Sequence, residues 1–282
     1  MGTHWRSSSI RSVKSAVRRS VVCFVLLALS AAACGQSAPP ASTVAEAPAS
    51  AAAPTPTVAP AVPDDALIAG FRKTYPASVS DAVELVTGAS GTMRHDMKLV
   101  TGQAMVGRAV TSLVKPAPPE QATPALSTKH SVEMIDNAQP GEVGVIVMEG
   151  ADGLEIAAMG NLMATAAKER GMAGMVLDGA IRDIWDVRRM GLTVYARSSS
   201  PRTAVGHYAT VGRNVPVICA GVVVRPGDII VADEDGVVVV PQERAAEILK
   251  RAQEIDEREA GMFPFIREFK SLTKAIERFN RI

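Results

Sequence analysis

The sequence predicts an α/β domain whose second half is rich in strands and whose end is helical. Three observations carry that expectation. Uninterrupted apolar runs such as Val143–Met148 and Gly174–Leu177 read as strands buried on both faces. Segments with helical spacing bounded by glycine, Asn161–Arg170 and Ile184–Met190, alternate with those runs, as strand–helix–strand units with parallel pairing do. After Val205 the apolar stretches crowd together with only short polar breaks.

Composition agrees. The chain has 282 residues, 47% of them apolar and 4% aromatic, which excludes disorder over its whole length. Its 30 basic and 29 acidic residues nearly cancel, but Arg6, Arg11, Lys14, Arg18 and Arg19 lie in residues 1–33, which hold no acidic group. The remainder carries 25 basic against 29 acidic residues, a net charge near −4. A mildly acidic body lacks the basic face of a nucleic-acid binder.

Residues 1–33 read as a secretory signal. Basic residues come first, then the apolar run Val21–Leu29, then small residues Ser30–Ala33 before Cys34. The run is shorter than the roughly 20 apolar residues that span a bilayer. Small residues before a cysteine suit a lipoprotein signal peptidase, so Cys34 is the expected lipidation site. Ordinary cleavage after Ala31–Ala33 is the alternative, since Leu29 stands further upstream than usual. Export to the cell envelope follows, as a lipoprotein or a periplasmic protein, with membrane contact only through the lipid. Residues 34–63 are almost entirely Ala, Pro, Ser, Thr and Val, with prolines at 39, 40, 48, 54, 56, 60 and 63. Such a stretch excludes a regular helix or interior strand and reads as a disordered tether.

The domain is expected over residues 64–282. Ser80–Thr87 reads as a helix capped by Ser80, Gln103–Val114 as a strand, Lys115–Thr128 as a Pro-rich loop, and Val132–Asp136 as the start of a helical segment closed by Pro140-Gly141. In the helix Asn161–Arg170, Asn161 can cap and Gly171 suits a left-handed stop. Ile184–Met190 ends at Gly191, and Thr193–Ala196 is a strand. Val215–Val224, Ile229–Ala232 and Val237–Val240 are strands, the last two joined by the turn Asp233–Gly236. Glu243–Glu257 presents Ile248, Leu249, Ala252 and Ile255 on one face. Ile266, Phe269, Leu272, Ile276 and Phe279 form a second stripe for the body or a neighbouring subunit.

Several catalytic signatures are missing: no G-x-S-x-G elbow, no phosphate-binding G-x-x-x-x-G-K-[ST] loop and no H-E-x-x-H. The histidines at 4, 95, 130 and 207 are scattered. Cys219, in the apolar string Val215–Val224, reads as a buried structural thiol rather than a nucleophile. Gly160–Asp183 is different. It sets a helix start, whose backbone N–H groups favour anions, against a strand-end Arg182-Asp183 pair. Arginine can grip a carboxylate at two points. A carboxylate such as Asp183 can hold a hydrated hard cation such as Mg²⁺. Together these suit a 2-oxo acid chelated to a metal, while a capped helix followed by a surface ion pair accounts for the same residues.

Gly160–Asp183, followed by Asn214–Pro241, resembles the RraA-like family of 4-hydroxy-4-methyl-2-oxoglutarate aldolases and relatives of the regulator of ribonuclease E activity. The likeness covers about residues 104–255, with the C-terminal helices as an extension. It implies a β/β/α sandwich assembled as a homotrimer or hexamer. Aldolases of the family carry an acidic residue, a 20-residue gap, then Arg-Asp. Here the gap and the pair match, and the first position is Asn161. The resemblance implies that Gly160, Asn161, Leu162 and Met163 bind substrate through the helix start. It makes Arg182 the binder of a small 2-oxo acid and Asp183 the ligand of a divalent cation, Mg²⁺ or Mn²⁺, so that Arg182 and Asp183 carry the catalysis. Asn161 removes one negative charge beside that cation.

The implied reaction is metal-dependent cleavage of a 4-hydroxy-2-oxo acid to pyruvate, with oxaloacetate decarboxylation as a side activity through the same enolate. Lys168 is read as a solvated helix residue rather than a Schiff-base lysine. Family members also carry methyltransferase names, but no glycine-rich strand-to-helix turn with a following acidic residue is present to cradle S-adenosylmethionine. The competing reading is a non-catalytic binding or regulatory protein of the envelope. Mass spectrometry of the native N-terminus is expected to show a diacylated Cys34; an unprocessed Met1 on a soluble chain would overturn both export and lipidation.

Overall fold

The computed structural model describes residues 64–150 and 152–280. The signal, the tether and Cys34 lie outside the described residues. In chain order the elements are helices α1 (Asp64–Phe71) and α2 (Pro76–Thr87), strands β1 (Lys98–Thr101) and β2 (Met105–Pro116), helix α3 (Pro124–Asn137), and strands β3 (Val143–Met148) and β4 (Ala157–Met159). Helix α4 (Asn161–Glu169), β5 (Gly174–Ile181), α5 (Ile184–Met190), β6 (Val194–Ser199), β7 (Tyr208–Arg213), β8 (Val217–Cys219) and β9 (Val222–Val224) follow. The chain continues through β10 (Ile229–Asp233), β11 (Gly236–Val240), α6 (Ala245–Phe269) and α7 (Leu272–Phe279).

The main sheet runs β1-β6-β5-β3-β2-β10-β11, with β4 added to β5 and β7 to β2. Strands β2, β3, β5 and β6 pair in parallel. Their crossovers α3, α4 and α5 pack Met134, Ile135, Ala164, Ala167 and Val187 onto one face. The other end is antiparallel, through β2-β10 and β10-β11. The twelve-residue β2 serves both regimes. Met105–Arg108 pairs with β10, and Ala109–Val114 pairs with β3. A second core, including Met97, Val145, Val176, Tyr195, Ile230 and Val239, covers the other face of the sheet. Thus the sheet is mixed and nearly closed, and the expected fold class holds.

Helices α1, α2 and α6 cover the antiparallel end. Leu67, Phe71, Val79 and Val83 meet Ile248, Leu249, Ala252 and Ile255 there. Ile248 is fully buried, and each such side chain stabilises the packed state by roughly 1.5–3 kcal/mol relative to exposure. That confirms the first C-terminal stripe. The second does not act as one face. Lys270 turns left-handed and divides α6 from α7. Phe269 and Leu272 stay exposed, while Phe265 packs at a tilt against Phe269 and meets Phe279 edge-on.

Several boundaries move for identifiable reasons. Helix α2 starts at Pro76 in its first turn rather than at Ser80, because proline's missing N–H costs nothing there. Ser80 then shares a 2.6 Å hydrogen bond with Thr92 instead of capping. Helix α3 likewise starts at Pro124, with Thr123 accepting from the Leu126 N–H, inside what composition marks as loop. Gly160 is the N-cap of α4, so Asn161 is the first helical residue rather than the cap. Gly171 and Gly191 take φ of +72° and +70° as helix stops, the conformation glycine reaches without a Cβ penalty. Among the described residues no helix is long and apolar enough to cross a membrane.

Candidate functional site

The parallel half of the sheet builds the site. Strand β5 continues past Ile181 into Arg182 and Asp183, and β4 runs beside it with Met159 opposite Ile181. The Arg182 N–H donates to the Met159 carbonyl at 3.0 Å. The next residue, Gly160, therefore lies against the Arg182-Asp183 pair. A Cβ at Gly160 would stand 2.6 Å from Asp183 Oδ2 and 2.9 Å from Arg182 Nε. Glycine is required here by close approach, not by an unusual dihedral.

Asp183 is the N-cap of α5 and sits in the left-handed region at φ 58°, ψ 31°. That conformation costs a non-glycine residue of order 1–3 kcal/mol. It points the carboxylate back at α4, where Oδ2 accepts the Asn161 N–H at 2.9 Å. A carboxylate at a helix N-terminus also meets the positive end of the dipole. Arg182 Nε lies 3.7 Å from the same oxygen. The Asn161 amide reaches Asp186 Oδ2 at 3.5 Å. Both Arg182 and Asp183 are about two-fifths exposed, so their mutual attraction is screened and geometry matters more than pair energy.

The structure thus brings together Gly160, Asn161, Arg182 and Asp183. Leu162 differs: its side chain is 84% exposed, so only its backbone N–H can serve a ligand at the helix start. Met163 turns inward and packs against the helical face of the core. The N–H groups of Leu162 and Met163 have no partner among the described residues, which leaves two donors beside Arg182. Lys168 donates to the Gly191 carbonyl at 3.1 Å, a structural use that agrees with its reading as a solvated residue. The Cys219 thiol is buried and pushed up by desolvation and then by Asp178, which leaves it a poor nucleophile at neutral pH.

Among the described residues no three or more His, Cys, Asp or Glu side chains converge to hold a metal. The donors at α4 and α5 fit a different kind of binding. Asp183 has Oδ2 engaged while Oδ1 is without a partner among the described residues. It lines an open cleft of about 320 Å³ with Ser199, Ser200 and Arg182. One carboxylate oxygen beside an open cleft suits a cation such as Mg²⁺, which keeps several waters.

Sequence reasoning missed a polar network beneath the site. Arg197 on β6 donates to Asp178 Oδ1 at 2.8 Å and to Asp96 Oδ2 at 2.6 Å and 3.0 Å. Asp178 Oδ2 accepts the Ala220 N–H at 2.6 Å. The network clamps β5, β6, the segment before β1 and the β8–β9 turn five or so residues below the site. The hydrogen bond from Arg197 holds the Asp96 carboxyl below its usual range, against desolvation that raises it. A depressed folded value means this contribution is present above the unfolded carboxylate range and fades as the pH falls through the folded one.

The model of the RraA-like family, described as Aldolase/RraA, matches residues 76–239. The chain belongs to this family. The match reaches further toward the N-terminus than the residues that first suggested it and takes in α2. A protein of Halalkalibacterium halodurans that carries the provisional name 4-hydroxy-4-methyl-2-oxoglutarate aldolase is 32% identical over 190 residues, 66% of this chain and 81% of that protein. An uncharacterized protein of Methanocaldococcus jannaschii is 41% identical over 118 residues, 42% of this chain, and the chain spans just 55% of its length. Streptomyces coelicolor RraAS2, described as an unusual member of the RNase ES inhibitor RraA protein family, superposes with a TM-score of 0.61 at 28% identity, covering 70% of this chain and 96% of that one.

The close approach at Gly160 generates a prediction. Gly160→Ala is expected to push Asp183 off the Asn161 N–H and to displace Arg182, while the fold persists. A crystal structure of the variant checks this, and an unmoved Asp183 would contradict it.

Proposed function

We propose that this protein is a divalent-metal-dependent aldolase that cleaves 4-hydroxy-2-oxo acids to pyruvate. The observation that carries this reading is the Arg182-Asp183 pair held against the start of α4, with Asp183 Oδ2 on the Asn161 N–H. The family and the name of the H. halodurans relative support it.

In this reading Arg182 grips the substrate carboxylate through its guanidinium. The N–H groups of Leu162 and Met163 donate to oxygen at the C1–C2 end. Loss of the C4 hydroxyl proton to solvent water turns that C–O bond into a carbonyl. The C3–C4 bond breaks with its electron pair left on C3, and a proton returned to C3 from water gives pyruvate. Negative charge develops on the C2 oxygen, close to Arg182 and the helix start, and donors fixed in advance stabilise it most. A divalent cation, Mg²⁺ or Mn²⁺, supplies Lewis-acid stabilisation of the same charge when bound, and Asp183 Oδ1 would hold it. Oxaloacetate decarboxylation leaves charge at the same oxygen and is the expected side activity.

The second reading, a binding or regulatory protein that has lost the chemistry, is favoured by one observation. Asn161 occupies the place where a carboxylate would add charge beside the cation. Asn161 instead reaches toward Asp186, a carboxylate one helical turn into α5.

A homo-oligomer, trimer or hexamer, also belongs to this proposal. Leu162 and Trp185, in the first turns of α4 and α5, are 84% and 71% exposed beside the site, and water-facing apolar groups there suit a neighbouring subunit. Localisation in the cell envelope, with Cys34 as the lipid anchor, rests on the sequence of the first 34 residues.

Two outcomes are expected. Sedimentation of the chain from Asp64 onward should give a trimer or hexamer that Trp185→Ser weakens, and a concentration-independent monomer would remove the oligomer from the proposal. In assays of pyruvate release, Asp183→Ala should abolish the metal-dependent rate and Arg182→Ala should lower turnover by about 10²–10³. Asn161→Asp should tighten Mg²⁺ binding in calorimetry. Full metal-dependent activity in Asp183→Ala would refute the assigned site. An inert wild type that Asn161→Asp revives, in both metal binding and turnover, would favour the second reading.

A further inference from the structure

Arg182 divides two clefts of unlike chemistry. On one side is an apolar cavity of about 90 Å³, with Val114, Met148, Met159, Met163 and Ala204 in its walls. On the other is the open cleft of about 320 Å³ with Asp183, Ser199 and Ser200. A substrate held by its C1 carboxylate at Arg182 still has its far end to place. A second carboxylate pressed into the apolar cavity would lose its water, and no cation besides Arg182 lines that cavity among the described residues. In the open cleft the same group keeps water on one side and can accept a hydrogen bond on the other.

Three consecutive serines border that open cleft or lie beside it, and the fold uses them differently. Ser199 ends β6, where it pairs with Ile181, so it stands on the strand next to Arg182. Side chains alternate along a strand. Ser198 and Ser200 turn to one side and donate to the carbonyls of Leu154 and Glu155 in the turn before β4, the second at 2.7 Å. Ser200 also accepts the Arg202 N–H at 3.2 Å, and its own N–H donates to the Ile181 carbonyl at 3.1 Å. Ser199 is different. Its side chain is exposed while its neighbours are half-buried, and its hydroxyl has no partner among the described residues. The backbone at Ser199 is thus held from both sides, and its hydroxyl is left to the cleft.

We propose that Ser199 is a specificity-determining residue whose hydroxyl donates to the distal carboxylate of a dicarboxylic 2-oxo acid. The inference rests on the aldolase reading of Arg182. A carboxylate accepts hydrogen bonds and a hydroxyl has one hydrogen to give, so the two are matched. A bond to an ionised acceptor is roughly twice as strong as one between neutral groups. Because its neighbours already fix the strand end, Ser199 gives up little freedom on binding. A monocarboxylic acid of the same length leaves the Ser199 hydroxyl to water and gains nothing from it. Arg182 therefore binds the end that all 2-oxo acids share, and Ser199 reads the end in which they differ.

Calorimetry with 2-oxo acids that lack the 4-hydroxyl separates binding from cleavage. With Mg²⁺ present, the wild type should bind 2-oxoglutarate about tenfold more tightly than 2-oxopentanoate, which has the same chain without the second carboxylate. Ser199→Ala should bring that ratio to about one and leave the affinity for pyruvate unchanged. Ser199→Thr, which keeps a hydroxyl, should preserve the ratio, and Ser199→Val, of the same shape without one, should lose it. This second pair decides the matter if Ser199→Ala loses its circular dichroism. Ser200→Ala, whose hydroxyl serves the fold, should shift all three ligands alike. A ratio that survives in folded Ser199→Ala or Ser199→Val, or pyruvate weakened as much as 2-oxoglutarate, would overturn the role of Ser199 and leave the aldolase reading standing. A wild type that binds none of the three acids would overturn both.

Discussion

One hydrogen bond organises the candidate site of this molecule: the Asn161 N–H donating to Asp183 Oδ2 across the gap between two crossover helices. It joins the start of α4 to the start of α5, and so ties together the two connections that flank β5. The bond forms only because Gly160 offers no Cβ to stand between them. The left-handed backbone of Asp183 is the cost of aiming the carboxylate that way. A charge-assisted bond to a helix start, reinforced by the dipole, offsets part of it. Arg182, one residue earlier, is then fixed by its own backbone bond to Met159 and becomes the wall between the two clefts.

That arrangement depends in turn on a sheet with two characters. Parallel pairing at β2-β3-β5-β6 forces helical crossovers, and their starts gather at the carboxyl ends of the strands, where α/β sheets place ligands. The antiparallel end, with β10, β11 and the helices packed on it, chiefly supplies packing. Strand β2 makes the change of character inside a single element, since its first residues meet β10 and its later ones β3. The Asp96–Arg197–Asp178 network then locks β6 to β5 directly below the site.

What the sequence made legible follows from how local each signal is. Val143–Met148 and Ile184–Met190 have their observed limits because both-face apolarity and a following left-handed glycine are properties of adjacent residues. The meeting of Gly160 with Arg182-Asp183 was also readable, since they lie within 24 residues and one supersecondary unit. Strands β1, β4 and β7 were not. β4 has only three residues, β1 and β7 are mixed in polarity, and pairing with their partners makes them strands. Pro124 misled, because it opens a helix where a loop was expected. Arg197 could not have been found from spacing, because its two acidic partners lie 19 and 101 residues away. The apolar cavity is likewise assembled from β2, α3, β3, β4 and the segment around Ala204, so no single stretch announces it.

Cys219 has a consequence for the compartment in which the fold can persist. It is fully buried, and it is the one free cysteine among the described residues. A sulfur sealed among Val217, Ala220 and Val224, with Met93 Sδ 3.8 Å away, has no second thiol to pair with among the described residues and presents no surface to an oxidant while folded. The described domain therefore gains no stability from oxidation and loses none under reduction. Hydrophobic burial and the ionic clamp at Arg197 carry, in the described domain, the load that disulfides carry in many small extracytoplasmic proteins.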